Sequence, residues 1–503
     1  MRIVVLFYFF LINIFLFSQE IPISFIWSER QQSEAMLQKQ DSFFHAGIFP
    51  LTMNKISSDS LFVQQILGID YTKKPYFKNL AHHSFVQVKD NDFLLHINPI
   101  LNEQYSNLDA HKYSQNTRGV IISGQFEHRF RFVSTMIETQ AYYQDYIVNY
   151  VKKNGVVPGS GRVRGFKDGG YDFSQASGYV QYEASPRLQF MLGHSSQFIG
   201  YGYRSVLLSD APLDYPFFRA SYTFKKIQYS ATYAVFQSAS AFDDRTKVYS
   251  RKYSSQHYIS YLASKWLEVG LFENTLFNSM SLQNNRPPEE FYSPIIGSDL
   301  LFFGLHQSKN VMLGTQSQLS FSPQLKIYGQ FALDDLKNKD TTSANKYAWQ
   351  CGLKIFEPFK IKNLFLIAEF NYASKAMYIT DNEREAFTQH NESIAHPLGN
   401  YFTEKIFLLN YTFKRFFVSV KWNDAHYAAG ENRLFLSDST LAANVKELQH
   451  VHQYKVETGY ILHRPSRLQF VLGIQCRNES AKPSTYFVYA AIRTNIMNFY
   501  DDF

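Results

Sequence analysis

Between Arg467 and Arg477 the sequence reads RLQFVLGIQCR. Leu468, Phe470, Leu472, Ile474 and Cys476 occupy every second position, with Gln469, Val471, Gly473, Gln475 and Arg477 between or after them. Successive side chains of a strand point to opposite faces, so this strand has one apolar face and one mainly polar face. The pattern recurs. In SPRLQFMLGHSS, Leu188, Phe190 and Leu192 alternate with Arg187 and Gln189. In SPQLKIYGQFALDD, Leu325, Ile327 and Phe331 alternate with Gln324, Lys326 and Gln330. In YAWQCGLKI the apolar set is Tyr347, Trp349, Cys351, Leu353 and Ile355, so Cys351 and Cys476, the only cysteines, both fall on apolar faces. Two cysteines are too few for a disulfide framework and here act as small hydrophobes.

Composition says where those apolar faces go. Aromatic residues make up 17% of the chain, with 47 Phe and 35 Tyr, yet mean hydropathy is only −0.27. Beyond residue 20 no stretch approaches the roughly 18 apolar residues of a membrane helix. Strands whose lipid-facing and lumen-facing residues average out give this balance, which predicts an all-β, transmembrane antiparallel barrel. Strands of about ten to fourteen residues are long for a soluble sandwich or propeller. The opening MRIVVLFYFFLINIFLFSQE places one arginine before an apolar run and then small Ser18, the layout of a secretory signal peptide over residues 1–18. The expectation is export to the outer membrane.

Turn chemistry divides the rest. Pro186, Pro323 and Pro465 sit where strands begin, positions at which proline costs the ladder nothing. Further tight turns fall near Arg129, Lys225, Ala263, Pro358 and Lys414. Long polar connections over 105–115, 147–172, 200–215, 239–252, 278–309, 335–345, 375–399 and 428–448 alternate with them. Outer-membrane barrels join strands by short periplasmic turns and long outer loops, and counting from about residue 93 gives about 18 strands. Residues 91–503 are therefore the barrel. Residues 19–90 are a small N-terminal helical, periplasmic segment: Ser28 opens one helix with a Ser-x-x-Gln signal, and a second is capped near Ser58 or Asp59 and stopped at Gly68. It is placed at the periplasmic mouth.

Reaction chemistry is sparse. No Gly-x-Ser-x-Gly elbow or His-Glu-x-x-His motif occurs. His194 and Ser195 are adjacent on a strand and point apart, so they do not pair as a hydrolase dyad. His450 and His452 share a strand face that a metal could use, but no third ligand is visible and they read as lumen or loop residues. The expectation is no enzyme activity, no cofactor, no resident metal and no nucleic-acid partner. A net charge of +7 suits an anionic surface such as lipopolysaccharide.

The stretch GHSSQFIGYGYRSVLLSDAPLDYPFFR, Gly193 to Arg219, carries the candidate binding residues. Its glycines lack phosphate-loop spacing. Tyr201, Tyr203 and Arg204 offer ring faces and a forked cation that suit an acidic sugar, or an aromatic girdle with Arg204 tied to Asp210. GYGYRS is read as a tight turn at the rim. Within 147–172, Lys152, Lys153, Arg162, Arg164 and Lys167 form a basic cluster suited to an acidic polysaccharide.

Val156 to Arg219, His396 to Phe417 and the ending IRTNIMNFYDDF resemble the RemB family of gliding-motility proteins of Bacteroidetes. The Phe198–Asp210 stretch is also similar, more distantly, to Wzi-type capsule-assembly barrels. The resemblance implies a monomeric outer-membrane barrel in the gliding or cell-surface machinery, in contact with lipid, lipopolysaccharide and partner gliding proteins. Its alternatives are a Wzi-like lectin for surface polysaccharide and a passive pore. It also implies that Phe503 ends the last strand with the aromatic residue that barrel assembly recognises.

Overall fold

In the computed structural model, the described residues are 30, 31, 34, 45–51, 83–90, 92–108, 111–127, 129–243, 248–277, 287–298, 309–334, 346–375, 377–380, 385–428, 448–480, 482–494, 498 and 500–503. Among the described residues, eighteen strands form one closed antiparallel wall. They are β1 (Phe93–Leu108), β2 (His111–Phe126), β3 (Phe130–Tyr142), β4 (Gly170–Ser185), β5 (Leu188–His194) and β6 (Pro216–Phe224). Next come β7 (Ile227–Asp243), β8 (Val248–Ser264), β9 (Leu267–Phe277), β10 (Lys309–Ser320), β11 (Leu325–Asp334) and β12 (Tyr347–Phe356). The last six are β13 (Leu364–Ala373), β14 (Phe402–Phe413), β15 (Phe416–Ala428), β16 (Leu448–His463), β17 (Leu468–Glu479) and β18 (Thr485–Thr494).

Each strand pairs with its neighbour in sequence, and β18 closes the ring on β1 through Ala490↔Tyr105 to Arg493↔Asn102. Below that contact the edge of β1 is covered by Val86–Lys89, paired with Leu94–Ile97. Closure matters because an open edge in hydrocarbon would leave unsatisfied N–H and C=O groups.

The alternation holds. On β17, Gln469, Val471, Gln475 and Arg477 are buried at 7% exposure or less, while Phe470, Leu472 and Ile474 are 39–50% exposed. Cys351 is exposed and Cys476 partly so, both on the outer face. Outward aromatics gather beside the short turns, among them Phe130, Phe224, Trp266, Phe321, Phe413 and Phe416. Tyr105, Tyr454 and Tyr486 form a second set toward the long-loop end. Two such girdles are what the two interfaces of a bilayer select. The two-residue turns after β6 and β14 place Lys225 and Lys414 at φ 54°, the left-handed conformation that hairpins of matching twist require.

The long connections differ from expectation. Segments 105–115 and 239–252 belong mostly to β1, β2, β7 and β8. Helix α1 (Asp145–Asn154) fills the start of 147–172; Gly155, in left-handed conformation at φ 73°, ends it and donates its N–H to the Val151 carbonyl. Most of 335–345 and 428–448 lies outside the described residues.

The largest correction concerns 200–215 and 375–399. Both turn inward and fill the bore rather than the outer surface. Val206, Leu207, Leu208 and Tyr215 from the first segment, and Met377, Tyr378, Ile394 and Ala395 from the second, are buried in one core with inward residues of the wall. The N-terminal segment joins them. Ile48 and Phe49 pair with Ile199 and Phe198 as a two-stranded sheet inside the barrel. Arg30, Gln31 and Glu34 are helical and buried, and Glu34 meets the inward Lys326 and Lys354, so these residues of the segment expected at the mouth lie within the lumen. The expected second helix at 57–68 and the signal peptide at 1–18 lie outside the described residues. The expectation for Phe503 is also corrected: the last strand stops at Thr494, and residues 500–503 lie in the lumen.

Candidate functional site

Tyr201, Tyr203 and Arg204 are not a rim turn. They lie at 0–3% exposure within the bore, gripped through their backbone. Glu369, an inward residue midway along β13, accepts the N–H groups of Tyr203 (2.8 Å) and Arg204 (3.1 Å) and the hydroxyl of Tyr328 (2.7 Å). A Cβ at Gly202 would overlap both that carboxylate and the Tyr328 ring, which is the demand this glycine meets. Gln330 and Gln350 extend the grip. Gln330 accepts from the Val206 N–H and donates to the Ile199 carbonyl, and Gln350 donates to the Arg204 carbonyl.

Arg204 then ties this segment to the wall and to the tail. Its Nη2 donates to Glu404 Oε1 (3.1 Å) and Asp502 Oδ1 (2.8 Å), and its guanidinium lies about equally far from the Tyr203 and Tyr500 rings, at 4.9 and 5.0 Å. His396 Nε2 meets the other oxygen of Glu404 at 2.7 Å. Burial pushes the His396 pKa down against the pull of Glu404. Burial alone would raise the Asp502 carboxyl, but Arg204 and Lys421 outweigh it and hold the pKa below the usual value. Asp210 is not the partner of Arg204. It binds Arg30 at 2.8 Å, together with Asn498 and Tyr500. The reason is placement: Glu404 and Asp502 meet the fork of Arg204, while Asp210 is taken by a segment that sequence proximity could not supply.

Residues 500–503 and Glu34 add to the filling. Asp501 bridges Lys421 (3.3 Å) and Lys455 (2.9 Å), and Arg477 donates to the Phe503 carbonyl at 2.6 Å. The Phe503 ring packs on Tyr146 and Tyr150 of α1. Glu34 accepts from Lys354 at 2.7 Å and from Lys326. Burial would raise the Glu34 pKa, yet the two lysines hold it down at about 2.

Arg162 and Arg164 go elsewhere. Val156–Val157 and Gly161–Arg162 form a small hairpin, and Arg164–Phe166 pairs with the start of β4. Lys152, Lys153, Arg162, Arg164 and Lys167 all have exposed side chains at the long-loop end. Under them, Ile147, Val151, Val157 and Phe173 form a small apolar core. Buried Glu392 fastens the hairpin to the filled bore, accepting the N–H of Gly159 (2.7 Å) and of Leu213 (3.4 Å). Burial, only partly offset by these donors, pushes its pKa up to about 8.

The six candidate residues thus separate into buried Tyr201, Tyr203 and Arg204, a partly buried Asp210 whose side chain is paired inside the bore, and an exposed pair. His194 and Ser195 do not pair, as expected: His194 contacts the Ala176 carbonyl, and the Ser195 hydroxyl donates to the Ser196 carbonyl. Sequence reading missed Glu34, Glu369, His396, Glu404, Lys421 and Asp502. Charged residues at inward positions of mid-strand, such as Lys326, Lys354, Glu369 and Lys421, were the available signal, because a charge buried within a wall calls for a partner inside the bore.

A scan against protein-family models finds no match, and no curated protein matches the sequence. The RemB resemblance gains no support from either. Among solved structures, the chain is similar to Wzi from Escherichia coli, described as an outer-membrane protein involved in group 1 capsule assembly and a carbohydrate-binding β-barrel. The TM-score is 0.59 at 10% identity, over 95% of this chain and 100% of that one. OprD of Pseudomonas aeruginosa aligns at TM-score 0.42 and 8% identity, over 82% and 96% of the two chains. OccK3 of the same organism aligns at 0.43 and 10%, over 79% and 94%. The first of these likenesses shows the fold, a closed outer-membrane-type barrel.

Proposed function

We propose that this protein resides in an outer membrane as a non-enzymatic barrel that holds acidic surface polysaccharide at its outer rim. The observation that carries this reading is the platform of five exposed cations, Lys152 to Lys167, standing over a bore filled by the chain's own paired charges. A filled bore argues against passive conduction. Exposed lysines and arginines on one small folded patch concentrate positive potential where an acidic polymer would lie. The fold likeness to a carbohydrate-binding barrel supports the same reading. A role in gliding, which the RemB resemblance implies, is the second reading and the one the experiment must separate.

The test is binding of purified protein to the source cell's acidic polysaccharide, across a salt series. Arg162→Ala with Arg164→Ala weakens binding at least tenfold, and salt weakens the wild type in the same direction, because exposed charges are screened beyond about 10 Å at 0.1 M ionic strength. Wild-type affinity in the double variant overturns the proposal. A deletion strain that sheds polysaccharide but spreads normally supports it, whereas lost spreading with polysaccharide retained assigns the protein to motility.

A further inference from the structure

His450 and His452 do not face the lumen. On β16 the inward residues are Val451, Gln453 and Lys455, of which Lys455 reaches Asp501 inside the bore. On β15 the inward ones include Lys421 and Asn423. The residues between them point outward, and the register sets Asp424 opposite His452 and His426 opposite His450. Two i, i+2 pairs on adjacent strands therefore make a four-cornered patch on the outer wall. The next outward pair toward the membrane is Trp422 opposite Tyr454. Tyr454 belongs to the aromatic girdle, so the patch sits just above it, at the height of lipid headgroups.

The geometry inside the patch is close. One donor atom each from Asp424, His426 and His450 lie within 4.8 Å of one another. His450 Nε2 is 2.6 Å from Asp424 Oδ1, and His452 Nδ1 is 3.0 Å from the same oxygen. The buried His452 Nδ1 makes no hydrogen bond, so its lone pair is left directed at the same carboxylate oxygen that His450 contacts. The rings of His426 and His450 stack at 3.8 Å, and His450 meets His452 at 3.9 Å. Lys405 approaches only the other carboxylate oxygen, Oδ2, at 3.6 Å.

We propose that Asp424, His426, His450 and His452 form a binding site for a borderline transition-metal dication, with Zn²⁺ as the best match. Imidazole nitrogen with one carboxylate oxygen is a donor set that suits Zn²⁺, Cu²⁺ or Ni²⁺, whereas Mg²⁺ and Ca²⁺ select all-oxygen shells. Tetrahedral Zn²⁺ with bonds of about 2.1 Å sets its ligands about 3.4 Å apart, so the donors of Asp424, His426 and His450 need shift by only about 1 Å, and His452, beside the same carboxylate oxygen, is in place to swing in as the fourth ligand. The site is independent of the polysaccharide reading: it uses no residue of the basic platform.

The test uses the full chain purified without a polyhistidine tag, folded in detergent, stripped with a chelator and titrated calorimetrically with ZnCl₂. Retained heat-modifiable migration in gels verifies the wall in each variant, and the four side chains face outward, away from the packed bore. The expected result is one Zn²⁺ per chain, weakened at least tenfold by His450→Ala and abolished by His426→Ala with His450→Ala. Co²⁺ at the same site gives the visible absorption of tetrahedral coordination, lost in the double variant. Absence of saturable Zn²⁺ binding, wild-type binding in the double variant, or equal affinity for Mg²⁺ overturns the proposal.

Discussion

Replacing Arg204 by methionine tests whether the bore is closed by the chain's own ion pairs. Arg204 and its partners Glu404 and Asp502 are all at 0% side-chain exposure. Removing one partner of a buried charge pair costs about 3–5 kcal/mol, mainly because the remaining charge is left unpaired. Here the remaining carboxylates keep other donors. Glu404 retains His396 at 2.7 Å, Asn423 at 2.7 Å and Asn371 at 3.0 Å, and Asp502 retains Lys421 and the Tyr203 hydroxyl, each at 3.0 Å. The loss therefore falls at the low end, about 3 kcal/mol, which raises the population of any state with segment 200–215 released by about 100-fold. Planar-bilayer recording reads this directly: the wild type is silent, and Arg204→Met gives intermittent ohmic openings while the wall stays heat-modifiable in gels. Arg204→Lys, which keeps the charge and loses the fork, falls between them. A silent Arg204→Met protein with unchanged protease resistance over 195–215 refutes the argument. Loss of polysaccharide binding in that same silent protein would return Arg204 to the role of a ligand-binding residue.

Two further outcomes follow from the wall and from the hairpin anchor. Glu392 has its folded pKa raised to about 8 from an ordinary 4.5, so its contribution to holding the 158–161 hairpin is complete below about pH 4.5 and lost as pH rises through 8; the protection factor of the Gly159 amide, taken against the intrinsic exchange rate at each pH, should fall across that window and stay constant in Glu392→Gln, and equal pH dependence in both proteins contradicts the assignment. Leu472→Arg, on the lipid face of β17, should destabilise folding into vesicles by about 2–4 kcal/mol, as charged residues near a bilayer midplane do. An effect below 0.5 kcal/mol would place that face in water instead.

The wall was legible because hydrocarbon on one side imposes a period of two, and that period survives in RLQFVLGIQCR and in each strand like it. The interior was not, because its contents are chosen pairwise. Arg204 meets Glu404 and Asp502, 200 and 298 positions away, and Glu34 meets Lys326 and Lys354. Nothing local marks segment 200–215 as inward: a polar, tyrosine-rich stretch has the same composition whether it stacks on sugars or packs against Glu369. The same limit hid the outer-wall patch. His450 and His452 were visible as a pair, but Asp424 and His426 become their neighbours only through the β15–β16 register.

The internal ties have a mechanical consequence. Arg219 of β6 is fastened to Pro50, Lys252 of β8 to Ala386 and Thr388, Gln330 and Gln350 of β11 and β12 to 199–206, and Lys421, Lys455 and Arg477 of β15 to β17 to the tail. These act as spokes across a wheel. A hollow hydrogen-bonded cylinder flattens when one side is pulled, whereas a spoked one keeps its cross-section and passes tension from the loops to strands all round its circumference. A polymer tugged by flow or by a moving cell would then strain the whole rim rather than unzip one hairpin.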